Sequence, residues 1–347
     1  MESPVRDDVE YPRFDSLRFI LASIVVLEHN GVPFPKTIGA GFAVDCFLAL
    51  SGWLIGGMLL RTERSDLPKF YFNRATRIWI PYALALVLLY MVALIREGID
   101  SNWFKYLFYD ATFTHQPFVV FPRAGSEMPL DGTGNHFWSL SVEEQFYLAT
   151  PLLMLFPWGR RPSFWLIAAM VASLIGGRFF PISLGVLAAA TRRSVGDWHL
   201  ASVGRLAVFA VMAGSASLFL VTESFLIGSI LAATIVLFLA TPGVRGGVAS
   251  FLGAVSFPLY LNHWVGAYAV HFFEKISHPI PWLFEQLVMY GTACFVGTAA
   301  WWLVDRWVMH TRANWYSREL GVGLAVVAYG VVAIGFIGGT LIRLAGG

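Results

Sequence analysis

The chain has 347 residues, of which 57% are hydrophobic, 16% aromatic and only 13% charged, with a net charge of +2. Soluble domains carry about 25% charged residues, and apolar runs of about 18 residues or more recur along the whole length. A soluble or disordered chain is therefore excluded, and an all-α, polytopic transmembrane helix bundle of about 10–11 spans is expected. No basic tract of the kind that binds nucleic acid stands out, so no nucleic-acid partner is expected. The two cysteines, Cys46 and Cys294, both lie in apolar runs, which argues against a disulfide framework and against a cysteine metal site; no metal is expected.

In chain order, a polar tail over 1–13 comes first. No small-residue cleavage site follows it, so the first apolar run is read as an uncleaved span. Spans are predicted at about 16–30, 38–60, 78–95, 137–157, 163–177, 178–191, 205–221, 223–240, 250–273, 283–305 and 320–343. The fifth and sixth are short enough to be partial or tilted. The stretch 102–121 is apolar but interrupted by Lys105, Asp110, His115 and Pro117, and is read as an outer loop with interfacial helices. With the N-terminus in the cytosol, most of the 24 lysines and arginines fall on the cytosolic side, among them Arg61, Arg64, Lys69, Arg74 and Arg77 before the third span. That bias satisfies the positive-inside rule. No internal repeat and no second domain is visible, so 14–347 is read as one integral membrane domain.

Ionisable groups at membrane depth are costly and usually functional. Arg18 marks the cytosolic end of the first span, and His29, eleven residues on and about 16 Å along a helix, reaches the outer half. Asp45 lies early in the second span, Glu143 and Glu144 early in the fourth just after His136, and His263 well into the ninth. Four spans thus carry His29, Asp45, Glu143 and His263 to a similar depth, which is the pattern of a buried polar site. Arg74 and Arg77, at i and i+3, lie on one helix face and can hold a phosphate together, although spacing alone favours ordinary positive-inside anchoring. His136 and His263 are also compatible with hydrogen-bonded core histidines. Trp103, Tyr106, Tyr109, Phe113 and Phe118 read best as an interfacial belt, and Ser51-Gly52 is compatible with close helix packing. No P-loop, zinc motif or nucleophile elbow is found in the sequence.

Taken together, the motifs resemble those of the acyltransferase-3 superfamily of integral membrane acyltransferases. "FDSLRFILASIVVLEHN" is similar to its arginine–ten residues–histidine signature, met by Arg18 and His29. "GFAVDCFLALSGWLI" resembles its second-span motif, with Asp45, Ser51 and Gly52. "RATRI" matches its paired arginines at Arg74 and Arg77, "NHFWSLSVEEQFYL" its Trp-Ser-Leu-x-x-Glu motif at Trp138, Ser139 and Glu143, and "LGAVSFPLYLNHW" its Ser-x-x-Leu-Tyr-Leu-x-His motif ending at His263. Each motif is weak alone; the ordered set over residues 14–264 is specific. One position departs from the family pattern: the late Glu-x-Pro is replaced here by Asp305 and Trp307.

The resemblance implies an acyl-CoA donor, usually acetyl-CoA, and a hydroxyl of a carbohydrate or other exported cell-envelope molecule as acceptor. It further implies an inner (plasma) membrane protein with a cytosolic N-terminus, in contact with the lipid bilayer, and it admits a homo-oligomer. Coenzyme A is cytosolic and heavily phosphorylated, which assigns Arg74, Arg77 and Arg18 to its binding. His29 is expected as general base, with Glu143 or Glu28 orienting the imidazole, and Asp45, Ser51, Trp138, His136 and His263 are expected to line the substrate pocket. The competing reading is a transporter or flippase of a lipid-linked glycan, which midplane charges and the interrupting Pro258 would also suit. Against it stand the missing repeat and the ordered motifs.

Overall fold

The computed structural model describes residues 10–119, 123–175, 177–274 and 281–346. The polar tail expected over 1–13 falls outside these residues up to position 9, as do Arg6, Lys275 and the end of the 102–121 stretch. Among the described residues there are helices and no strands. The longer helices are α1 (Pro12–His29), α2 (Ala40–Arg61), α3 (Leu67–Glu97), α4 (Ser101–Ala111), α5 (Trp138–Met154), α6 (Pro162–Leu174) and α7 (Phe179–Val195). They continue with α8 (Ser202–Thr222), α9 (Phe225–Leu239), α10 (Gly247–Asn262), α11 (Trp264–Glu274), α12 (Trp282–Ala300), α13 (Arg306–Thr311) and α14 (Arg318–Gly346).

Five of the helical stretches are long and apolar enough to cross a membrane: Ala40–Arg61, Arg64–Glu97, Ser202–Thr222, Trp282–Asn314 and Arg318–Ala345. Their exposed faces are those of a lipid-facing bundle. On α8, Val203 and Val221 are each 82% exposed, and α14 bares Val326, Ile334, Ile337 and Leu341. Apolar faces of this extent are tolerated where the surrounding solvent is hydrocarbon, since each helix satisfies its own backbone.

The helices follow the predicted spans closely, with three differences that have physical causes. The third helix begins at Leu67, well before the predicted start at 78, because Pro68 initiates it and Phe70 and Phe72 are buried; Arg74 and Arg77 therefore ride inside a helix. The ninth span is divided at His263 into α10 and α11. Pro258 contributes no backbone N–H, and the side chains of Asn262 and His263 donate to the carbonyls of Pro258 (3.0 Å) and Tyr260 (2.7 Å), competing with helix continuation. The tenth span runs into a π turn at Trp301–Asp305 before α13. In the 102–121 stretch, Asp110 and His115 are each only 1% exposed. They pair with one another at 2.6 Å, and the Tyr90 hydroxyl donates to the second Asp110 oxygen at 2.7 Å. Asp110 and His115 are thus buried and satisfied, and the half-buried Lys105 pairs with Glu127 at 2.8 Å.

The chain forms two compact units, each discontinuous in sequence. The first comprises residues 1–54 and 165–297, the second 55–164 and 298–347. In the first, α1 packs along α10, and α2 crosses α7 through reciprocal glycines. A Cβ on Gly52 would lie 2.1 Å from the Ile182 carbonyl oxygen, and one on Gly185 would lie 2.1 Å from that of Ala49, so backbones meet where side chains are absent. In the second, α14 packs on α3. Tyr329 pins it there: its hydroxyl lies 2.7 Å from that of Tyr71 and donates to the Leu148 carbonyl on α5 at 2.8 Å.

Candidate active site

In the first unit, His29 is the last residue of α1 and is exposed. Its Nδ1 lies 2.9 Å from Nε2 of His263, which sits at the break between α10 and α11 and is 3% exposed. The ring centroids are 5.1 Å apart. An accessible imidazole is therefore held from behind by a buried one. The turn after α1 is fixed by Gln286 on α12, whose amide donates to the Asn30 carbonyl at 3.0 Å.

Three further polar atoms belong to residues tied to this pair, Asn30 and Trp264 by sequence and Gln286 through its hydrogen bond to Asn30. Asn30 Nδ2, Trp264 Nε1 and Gln286 Oε1 are buried without a hydrogen-bond partner. Buried polar groups are almost always satisfied, so two donors and one acceptor left unpartnered on residues that adjoin the histidines or clamp the turn after α1 stand out. The sequence reading missed them. Asn30 and Trp264 each follow one of the histidines directly, but an asparagine at a helix end and a tryptophan in an apolar run carry no signal of their own.

The other residues of this unit have different partners. Glu28, a candidate for orienting the imidazole, instead accepts the Ala40 N–H at 2.6 Å and so caps the N-terminus of α2. Asp45 is 5% exposed and faces Arg178 at 3.6 Å, whose guanidinium also lies over the Phe225 ring at 5.2 Å. Ser51 is half-buried beside the Gly52 crossing. Arg18 pairs with Asp15 at 3.2 Å, and Asp15 is also approached by Arg245 at 3.2 Å. Of the first-unit residues predicted to share a depth, the structure joins His29 to His263 and gives Asp45 its own ion pair.

The second unit carries a separate polar cluster. Arg74 lies over the Tyr147 ring at 5.9 Å, and its Nε is buried without a hydrogen-bond partner. Arg77 is exposed. Both interact electrostatically with Arg312, whose Nη1 donates to the Asn73 carbonyl at 3.2 Å. Three guanidinium groups thus gather around the start of α3, and the third was hidden in the sequence among ordinary boundary arginines. Glu143 accepts from the Tyr147 hydroxyl at 2.5 Å. Glu144, 4% exposed, accepts from Trp79 Nε1 at 2.9 Å and keeps its second oxygen unpartnered, as Asp305 does in the π turn. His136 is 4% exposed, donates from Nδ1 to the Thr133 carbonyl at 3.0 Å and packs on Phe137. Trp138 opens α5 and is half-buried.

These features define an integral membrane helix bundle with a buried-imidazole site and an arginine cluster. The family model described as "Acyltransferase domain" matches residues 11–306, and the chain belongs to that acyltransferase-3 family. Among curated proteins, it is similar to O-acetyltransferase OatA of Staphylococcus aureus, with 32% identity over a 167-residue alignment covering 42% of this chain and 25% of the relative. It is likewise similar to peptidoglycan O-acetyltransferase OatA of Listeria monocytogenes, with 29% identity over 173 residues covering 44% of this chain and 25% of the relative. The alignments thus span about a quarter of the length of these relatives. No solved structure matches the chain.

Proposed function

We propose that the protein is a membrane-embedded O-acetyltransferase that moves an acetyl group from cytosolic acetyl-CoA to a hydroxyl of a cell-envelope carbohydrate. The observation that carries the reading is the accessible imidazole of His29, anchored through Nδ1 by His263 at a helix break; the adjoining residues Asn30 and Trp264 carry buried, unpartnered donors. In the transfer, the acceptor oxygen forms a bond to the thioester carbonyl carbon while its proton passes to His29. The carbon–sulfur bond then breaks, and the proton is returned to the departing thiolate. Asn30, Trp264 and Gln286 are assigned to hydrogen-bond the reacting carbonyl and hydroxyl groups.

The donor's phosphates are assigned to Arg74, Arg77 and Arg312. Arg74 offers a buried, unpartnered N–H, the kind of donor that charge-assisted phosphate binding uses. Glu143 and Tyr147 orient Arg74 in this reading. The names of the relatives support peptidoglycan or a related glycan as the acceptor class. The protein is placed in the plasma membrane with its N-terminus in the cytosol, where the donor is.

The test is purified protein in proteoliposomes supplied with acetyl-labelled acetyl-CoA and a muropeptide acceptor. Label should appear in an alkali-labile ester on the acceptor, with stoichiometric release of free thiol. Glycan movement without thioester consumption would overturn the reading in favour of a transporter.

A further inference from the structure

The hydrogen bonds around His263 determine more than its own position. Its Nδ1 lies 2.7 Å from the carbonyl oxygen of Tyr260. A carbonyl can only accept, so Nδ1 of His263 carries a proton. In the neutral ring Nε2 is then a lone pair. That lone pair lies 2.9 Å from Nδ1 of His29, so His29 Nδ1 must be the N–H donor. The consequence passes to the far side of the second ring: with its proton on Nδ1, neutral His29 presents Nε2 as the acceptor. The alternative arrangement, with the proton on His263 Nε2, would set the Nδ1 lone pair against a carbonyl oxygen at 2.7 Å, which is repulsive.

We infer that His263 is a positioning residue that fixes the tautomer and ring orientation of His29, so that Nε2 of His29 is the basic nitrogen. The inference rests on the reading of His29 as the base. It gives a use to the position of His263 at the junction of α10 and α11, where its side chain takes the Tyr260 carbonyl. It also assigns to a backbone carbonyl and a second imidazole the role that a carboxylate serves in other nucleophile-activating sites. Glu28, the nearest carboxylate in sequence, is committed to the Ala40 N–H. The arrangement needs His263 neutral, since a proton added to its Nε2 would remove the acceptor, whereas His29 keeps its Nδ1–H donor after taking a proton on Nε2.

The test is nitrogen-15 NMR on full-length protein labelled at histidine, in nanodiscs, using two-bond proton–nitrogen correlations. His29 signals are assigned by their loss in His29→Gln. In the wild type, His29 should give a protonated Nδ1 and an unprotonated Nε2. In His263→Ala the pattern should become a tautomer mixture, kcat should fall on the order of 10²-fold, and KM for acetyl-CoA should hold. That loss is smaller than the ~10⁴-fold caused by removing an anionic orienting partner. His263→Gln, whose side-chain oxygen can accept from His29 Nδ1, should recover most of kcat, a rescue that a merely space-filling role would not give. A wild-type His29 protonated on Nε2 overturns the inference alone, as does a kcat unchanged in His263→Ala. Normal turnover in His29→Gln overturns the base reading itself, and with it the catalytic consequence of the tautomer.

Discussion

At the scale of single residues, neighbours in sequence divide the work. Glu28 and His29 are adjacent, yet one caps α2 through Ala40 and the other faces outward with His263 behind it. Their substitutions should therefore separate. Glu28→Ala should lower thermal stability by about 0.5–2 kcal/mol, the cost of a lost cap, with turnover changed little. His29→Ala should keep the fold and donor binding while turnover falls roughly 10²–10⁴-fold. The arginine cluster gives a third test, read by isothermal titration with coenzyme A. Arg74→Ala should weaken donor binding tens-fold or more, since a charge-assisted contact contributes about 1.5–3 kcal/mol, and Arg74→Lys should recover only part of this for want of a planar fork. Unchanged affinity would return Arg74 to a membrane-anchoring role. His29 stands out in the sequence because ionisable residues are rare at membrane depth, whereas Arg74 and Arg77 read by spacing as boundary arginines and gained a ligand role only from the family resemblance. The partners of such residues were not legible. His263 lies 234 positions from His29, and nothing local marks Arg178 as the counter-ion of Asp45 or Gln286 as the clamp on Asn30.

Helices were read by the length of their apolar runs, and that reading succeeds wherever transfer into lipid decides the outcome. It fails where hydrogen bonding decides. Hydropathy does not register that Asn262 and His263 turn their side chains onto the preceding carbonyls, so the break between α10 and α11 was invisible. The π turn at Trp301–Asp305 is likewise a matter of hydrogen-bond pattern, whereas the early start of α3 was missed because the buried Phe70 and Phe72 lie among polar residues outside the apolar run. The Ser51-Gly52 pair is a case where two readings stood side by side, and the α2–α7 crossing gives Gly52 a packing role. With a Cβ falling 2.1 Å from a backbone oxygen at both Gly52 and Gly185, neither site can accept alanine without the helices moving apart. Overpacking of this kind costs about 1–3 kcal/mol. Gly52→Ala and Gly185→Ala should each lower the melting temperature in detergent. A Gly52→Ala protein as stable as the wild type would show that the crossing has slack.

At the scale of the whole chain, the distribution of charge along α3 bears on membrane orientation. The helix has 31 residues from Leu67 to Glu97, about 46 Å at 1.5 Å per residue, while a bilayer's hydrocarbon core is about 30 Å thick. It is long enough for its two ends to emerge on opposite sides. Before it and in its first three turns stand Arg61, Arg64, Lys69, Arg74 and Arg77, whereas its other end carries a single cation, Arg96, beside Glu97 and Asp100. Positive residues are retained on the cytosolic side, so the 61–77 segment is predicted to face the cytosol and the segment after Glu97 the exterior. The donor-site assignment requires the same orientation, because acetyl-CoA is supplied from the cytosol and the arginine cluster must meet it there. Ser65 and Ser126 are exposed positions on the two sides of this prediction. In a background with Cys46 and Cys294 replaced, a cysteine at 126 should react with a membrane-impermeant maleimide in intact cells. A cysteine at 65 should react only after the membrane is opened. The reverse pattern would invert the orientation and leave Arg74 and Arg77 on the side without donor, so one labelling experiment tests the topology and the phosphate assignment together.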